Sequence, residues 1–350
     1  MPLFRRKEPS PAAAARDEAA RISAFWSWWS AEGAARTAAA IADQAPQRMV
    51  DELSRRFAAV HERLAWELAP GQQSEHLLVA SPEGDPALRA VARRWLRGAP
   101  APSEVWEYAD ARQASGDLIG LVLNVGGVDL PLGELTFAAR TSDYRLDVTL
   151  HHPALASLPE GDRMQIAFLA LDIAVGEEPV ETWIGEIGVS TEPLPGAQLL
   201  DQLVDVLDQH QREHLAEDGG PTWRLMSADP PEGRLVVSAM VPLSPTVAAQ
   251  LDDHVQVVVP YAGRTPEGLP DGATLDRLRA LEDHLTERLG GSGMTVAVET
   301  LAGRRTLHYY VDSTTPAADV LKAAVAGWPE GGVEVRAKHD PGWHGVRQFG

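Results

Sequence analysis

The chain has no cysteine. That excludes disulfides, thiolate catalysis and sulfur-ligated zinc, and it is what a cytoplasmic protein is expected to show. Lysine is scarce as well. Only Lys7, Lys322 and Lys338 occur among 31 basic residues, which face 50 acidic ones for a formal charge of −19. An acidic surface repels phosphate backbones, and no basic patch follows Arg5-Arg6-Lys7, so nucleic acid is not an expected partner. No apolar run is long enough to span a bilayer, so no membrane partner is expected either. The basic start from Met1 to Lys7 leads into Glu8-Pro9-Ser10-Pro11 instead of an apolar segment, which argues against a signal peptide. Gly120, Gly126, Gly127 and Gly133 do not form G-x-G-x-x-G, and no Walker pattern occurs. Ser81, Ser190 and Ser238 lack the context of a nucleophile elbow. No cofactor is expected.

What remains is a chain of 350 residues with 44% hydrophobic content, enough for two or three domains. The fold class expected is α+β, and the clearest unit lies at the carboxy terminus. Val255, Val257, Val259 and Tyr261 alternate with Gln256, Val258 and Pro260, the signature of a half-buried strand. Leu275, Leu278, Leu281, Leu285 and Leu289 then repeat at helical spacing until Gly290-Gly291 ends the helix. Met294, Val296 and Val298 alternate, Ala302-Gly303 turns the chain, and Leu307, Tyr309 and Val311 form the return strand. Pro316 opens a second helix carrying Ala317, Val320, Leu321, Ala324, Val325 and Trp328, and Val333 and Val335 supply a last strand. The order β-α-β-β-α-β is that of a ferredoxin-like unit, an architecture that specifies no activity.

Ahead of it, residues 1–11 are expected to be disordered, and Ala12 to Ala42 to be helical. Residues 1–44 thus form a first segment, residues 45–113 and 114–215 two similar α+β modules, and residues 216–350 the ferredoxin-like domain. The polar break Glu217–Pro221 marks the last boundary. Within the middle module, Gln165 to Val175 reads equally well as buried helix or strand.

Three patterns invite a chemical reading. Trp26, Trp28 and Trp29 surround more than one face of the first helix, as a docking hot spot would; the alternative is that they pack over the protein's own core. His210-Gln211-Arg212-Glu213-His214 fits the inverted zinc-protease motif, in which two histidines four apart bind metal and the glutamate activates water. The alternative there is a solvated helix end. Asp340-Pro341-Gly342-Trp343 makes a turn that folds Trp343 back on the sheet, although His339, Asp340 and His344 also form a conceivable ligand set. His151-His152 reads as a strand-end pair.

The strand Val255–Tyr261, the turn Gly268-Leu269-Pro270, the leucine-rich helix, the strand Leu307–Val311 and the ending Asp340-Pro341-x-Trp343 together resemble the bacterial domain of unknown function family 695, over roughly Asp252 to Phe349. The amino-terminal half is similar to the segment that accompanies this domain. It has a Phe-Trp-x-Trp helix at Phe25–Trp28, then Leu64-Ala65-Trp66-Glu67, a strand–turn–helix over His76–Pro100, and a strand at Trp106. The resemblance implies a bacterial cytoplasmic protein without assigned catalytic residues. It also implies kinship with domains like the ribonuclease E regulator B, a small acidic inhibitor that binds its nuclease.

The expected function is therefore non-enzymatic: a regulator or adaptor that binds another, possibly basic, protein. The binding residues would be Trp26, Trp28 and Trp29 at one end and Asp340 and Trp343 at the other. A metal-dependent hydrolase using His210, Glu213 and His214, and a small-molecule sensor with a pocket between modules, are the two alternatives.

Overall fold

A computed structural model of the chain describes residues 11–116 and 118–350. The basic start and most of the expected disordered stretch lie outside the described residues. The amino-terminal region runs α1 (Pro11–Trp28), a π turn (Trp29–Gly33), α2 (Ala34–Ala42), α3 (Val50–Val60), β1 (Ala65–Pro70), β2 (His76–Ser81), α4 (Pro86–Arg97) and β3 (Trp106–Ala109). Strand β2 pairs antiparallel with β1 and parallel with β3, and α4 makes the crossover. Helix α4 starts where it does because the Asp85 carboxylate accepts from Ala87 N–H at 3.0 Å and Pro86 holds the first helical position. The π turn comes at Gly33, where a methyl group would press on the rings of Trp28 and Trp29.

The middle region contributes β4 (Val122–Val125), β5 (Val128–Pro131), β6 (Thr136–Ser142), β7 (Arg145–His151), α5 (Glu160–Val175), α6 (Glu177–Trp183), β8 (Ile184–Ser190), β9 (Gln198–Leu199) and α7 (Leu203–His214). Strands β4 and β5 form a small hairpin, and the larger sheet has the order β8-β7-β6-β9. The ambiguous stretch from Gln165 is helical, lying in α5, where Ile166, Ala167, Ala170, Leu171 and Ala174 are buried.

The carboxy-terminal region consists of β10 (Thr222–Ala228), β11 (Leu235–Val241), β12 (Asp253–Pro260), α8 (Gly272–Leu289), β13 (Gly293–Leu301), β14 (Arg304–Val311), α9 (Ala317–Ala324) and β15 (Glu334–His339). One six-stranded sheet, ordered β10-β11-β13-β14-β12-β15, takes in every strand, and each neighbouring pair is antiparallel. Helices α8 and α9 cover one face over Val255, Val257, Val259, Leu307, Tyr309 and Val311. The opposite face is covered by the chain after β11 and by the last residues, through Leu243, Leu251, Trp343, Val346 and Phe349. Both faces being dry, β14 is buried continuously from Leu307 to Val311.

Helix α4 ties the three regions together. Arg89, 1% exposed, pairs with Glu181 and lies 3.5 Å from Glu177 of α6. Arg93 pairs with Asp110 and reaches Glu178 at 2.5 Å. Arg94 turns the other way and donates to Asp252 and Asp312 of the carboxy-terminal region, each at 2.8 Å. Removing one member of such a buried group leaves the others charged and unpaired, which is the expensive outcome.

Candidate functional site

Strand β15 ends at His339, and the next residue locks the turn. Asp340 N–H donates to Asp252 C=O at 2.8 Å, and its carboxylate collects donors from Tyr310 Oη–H (2.6 Å), Gly345 N–H (2.7 Å) and His344 N–H (3.0 Å). His344 Nδ1 lies 3.1 Å from the same carboxylate. Burial works against a charged Asp340, but these donors outweigh it and hold its pKa below the ordinary value. Trp343 follows in the left-handed region at φ 51°, a conformation uncommon for a bulky residue, kept by its indole N–H donating to Leu251 C=O at 2.9 Å. Gly345 has no room for a side chain, which would collide with the His254 ring.

The turn caps a column of parallel rings on this face of the sheet. Trp343 stacks on Tyr310 with centroids 4.4 Å apart, Tyr310 on His254 at 4.9 Å, and His254 on His308 at 5.3 Å. Cross-strand register explains the middle of the column, since His254 of β12 sits directly opposite Tyr310 of β14. His254 Nε2 and His308 Nδ1 share a hydrogen bond of 3.1 Å, so one ring donates and the other accepts. Burial, reinforced by His254, pulls His308 down to about 4, and burial also lowers His254 although Asp340 opposes it. The column is therefore neutral, dry and fixed. None of its rings offers solvent a base or nucleophile.

Beside the turn opens a cleft of about 570 Å³, reached by all three regions: Pro86 at the start of α4, Ser142–Arg145 of the β6–β7 turn with Glu181 of α6, and Gly342–His344 with Arg347.

The remaining expected site residues lie apart from this one. Trp26, Trp28 and Trp29 are 5%, 6% and 0% exposed and pack with Phe25, Phe57, Trp95 and Trp106 in the amino-terminal core. The Trp26 indole donates to Trp95 C=O at 2.7 Å, and one edge of its ring reaches a groove of about 750 Å³ between α1 and the end of α4. Core packing, the alternative weighed for these rings, is thus how they are used. Asp340 and Trp343 are buried likewise, at 6% and 3%, so the four indole rings and one carboxylate expected to dock a partner do not form an accessible surface.

In the His210–His214 motif, His210 Nε2 is taken by Tyr144 C=O at 2.8 Å, His214 Nδ1 by His210 C=O at 2.9 Å, and Glu213 by Gln209 at 3.1 Å. The glutamate thus turns along the helix surface, away from the imidazoles. His339 is held by Asp253 at 2.9 Å, separately from Asp340 and His344. Among the described residues, no group of three His, Cys, Asp or Glu is placed to hold a metal ion. No helix among them is long and apolar enough to cross a membrane.

The residues that sequence reasoning missed are His254, His308 and Tyr310, together with the arginines of α4. The signal for the first three is in the sequence: they occupy the alternate positions of strands whose odd-numbered residues read as core.

Fold and site together define a mixed α+β protein whose carboxy-terminal sheet is covered on both faces. Residues 214–349 match the model of the family described as Family of unknown function (DUF695), the family that the carboxy-terminal motifs resemble. The match begins at His214, well before Asp252, and so takes in β10 and β11. Neither the curated proteins nor the solved structures yield a match.

Proposed function

We propose that the protein is a non-catalytic binding protein that captures an extended segment of another polypeptide along strand β10. The observation that carries this is the free outer edge of β10, where Trp223 is 50% and Leu225 is 75% exposed. Edge strands are ordinarily blunted by charge, proline or bulges, because their unpaired N–H and C=O groups template the addition of another strand. Here alternate positions carry large apolar side chains instead, which suits strand addition with pockets reading every second residue. The charge of −19 favours a basic segment.

The scaffold in this reading is a ferredoxin-like unit, β12 to β15, extended at one side by the β10–β11 hairpin. Support comes from the order β13-β14-β12-β15 with α8 and α9 on one face. Two separate buried clusters, Ile22 to Trp106 and Leu118 to Leu207, the second of which also takes in Val241 of β11, support a division between the first two modules.

Affinity selection of a random peptide library by the wild-type chain and by Trp223→Ser/Leu225→Ser tests the reading, with unfolding curves confirming that both are folded. The expected result is enrichment of basic peptides with apolar residues at alternate positions, binding the variant at least about tenfold more weakly. Enrichment of peptides that bind both chains equally, or of none, overturns it.

A further inference from the structure

We propose that the joint between the amino-terminal and middle regions is a proton-controlled strap: residues 110–115, which carry the chain from one region to the other, bind the α5–α6 corner more tightly in mild acid than at neutral pH, with Asp172 as the sensor. Backbone bonds make the strap. Ser115 N–H donates to Ile173 C=O at 2.8 Å, and Glu177 N–H donates to Arg112 C=O at 2.9 Å. Arg112 N–H returns a bond of 3.1 Å to the Glu177 carboxylate, which also accepts from Gly84 N–H at 3.1 Å and Ser81 Oγ–H at 2.9 Å. Gly176 makes the corner at φ 91°, where a side chain would crowd Arg112 C=O and Ala114 N–H.

The charges around this strap do not balance. Six carboxylates meet there: Glu67 of β1, Asp110, Asp172 of α5, and Glu177, Glu178 and Glu181 of α6. The cations that face them are four: Arg89 and Arg93 of α4, Arg112, and Arg145, which acts on Glu181. Two negative charges are thus left over in a partly buried joint, where an uncompensated charge is costly. Arg63 and Asp85, beside the start of α4, pair with each other and do not relieve it. Asp172 bears the surplus. The cation it meets, Arg112 at 3.3 Å, is drawn also to Glu67 at 2.8 Å, and Arg89 helps only at longer range. Burial and the repulsion of Glu177 push the Asp172 carboxyl up to about 6, and burial raises Glu178 and Glu181 as well. A carboxyl whose pKa is higher in the strapped state than in the open one takes up its proton preferentially when strapped. Tightness is therefore gained as pH falls through about 6 and lost as pH rises through it.

Hydrogen exchange on the full chain tests the proposal, read as protection factors of the Ser115 and Glu177 amides with those of β14 as the reference for global opening. If Asp172 relaxes to the ordinary carboxyl value of about 4 when the strap opens, protection of both amides relative to β14 should rise about tenfold between pH 7 and pH 5. In Asp172→Asn the same ratio should stay level. A ratio in the wild type that does not change with pH overturns the strap, and a rise that persists in Asp172→Asn overturns Asp172 as its sensor. Should that variant fail to fold, carbon NMR of the wild-type carboxyl decides: titration near 6 supports the proposal, and titration at the ordinary value overturns it.

Discussion

Strand β14 contributes to two interiors of opposite character. On the helix-covered face, Leu307, Tyr309 and Val311 meet Val255, Val257, Leu285 and Leu321. On the other face, His308 and Tyr310 meet His254, Trp343 and the carboxylate of Asp340. The first interior is non-directional, so shape and area decide its strength. The second is directional, and it is stable only because nearly every polar atom has a partner. One strand thus shows that burial alone does not set how a residue responds to change. Its partners do.

The largest expected effect breaks the apolar side. Leu285→Ala, at a fully buried position on α8, should cost about 2–5 kcal/mol in chemical denaturation, by the same amount across the neutral pH range. A cost that changed with pH would show that the two faces are not independent.

A smaller effect is expected from Tyr310→Phe, which keeps the ring in its stack but withdraws one donor from the buried Asp340 carboxylate. About 1–3 kcal/mol should be lost, accompanied by a rise in the Asp340 pKa observable by carboxyl NMR. An unchanged pKa would remove Tyr310 from the account of that carboxylate.

The smallest effect at neutral pH, and the sharpest contrast between the faces, should come from His308→Gln. Burial holds His308 and His254 below their ordinary pKa, so the unfolded chain takes up protons first as the solution is acidified. The stability they contribute is present above the ordinary histidine value of about 6.5 and is lost as pH falls toward about 4. Unfolding free energy measured from pH 7 to 4 should therefore fall less steeply in His308→Gln than in the wild type, while Leu285→Ala keeps the wild-type slope. Parallel slopes for wild type and His308→Gln would show that the column does not govern the acid response.

The same contrast explains what the sequence disclosed. Helices α8 and α9 and strands β12 to β15 were legible because one face follows a strict period, as in Val255, Val257 and Val259. The second face was not, because a continuous run such as Leu307–Val311 hides its alternation once both sides are buried, and histidine does not register as core. The Gln165–Val175 ambiguity has a related cause, since a helix apolar on most sides has no stripe to detect. The tryptophans of α1 were visible as a cluster, but exposure is a property of what packs around them, and Trp95 and Trp106 lie far along the chain. Arg94 was out of reach altogether, with carboxylate partners 158 and 218 residues away.

That last arrangement bears on how such a chain is inherited. Asp252 and Asp312 fall inside the stretch matched by the family model, whereas the guanidinium that neutralises them comes from α4, outside it. A gene fusion or truncation carrying only residues 214–349 would move two nearly buried carboxylates without their cation. Exchange of this unit between proteins is therefore constrained at two positions that touch no ligand: the recipient must supply a matching positive charge, or Asp252 and Asp312 must change with the move.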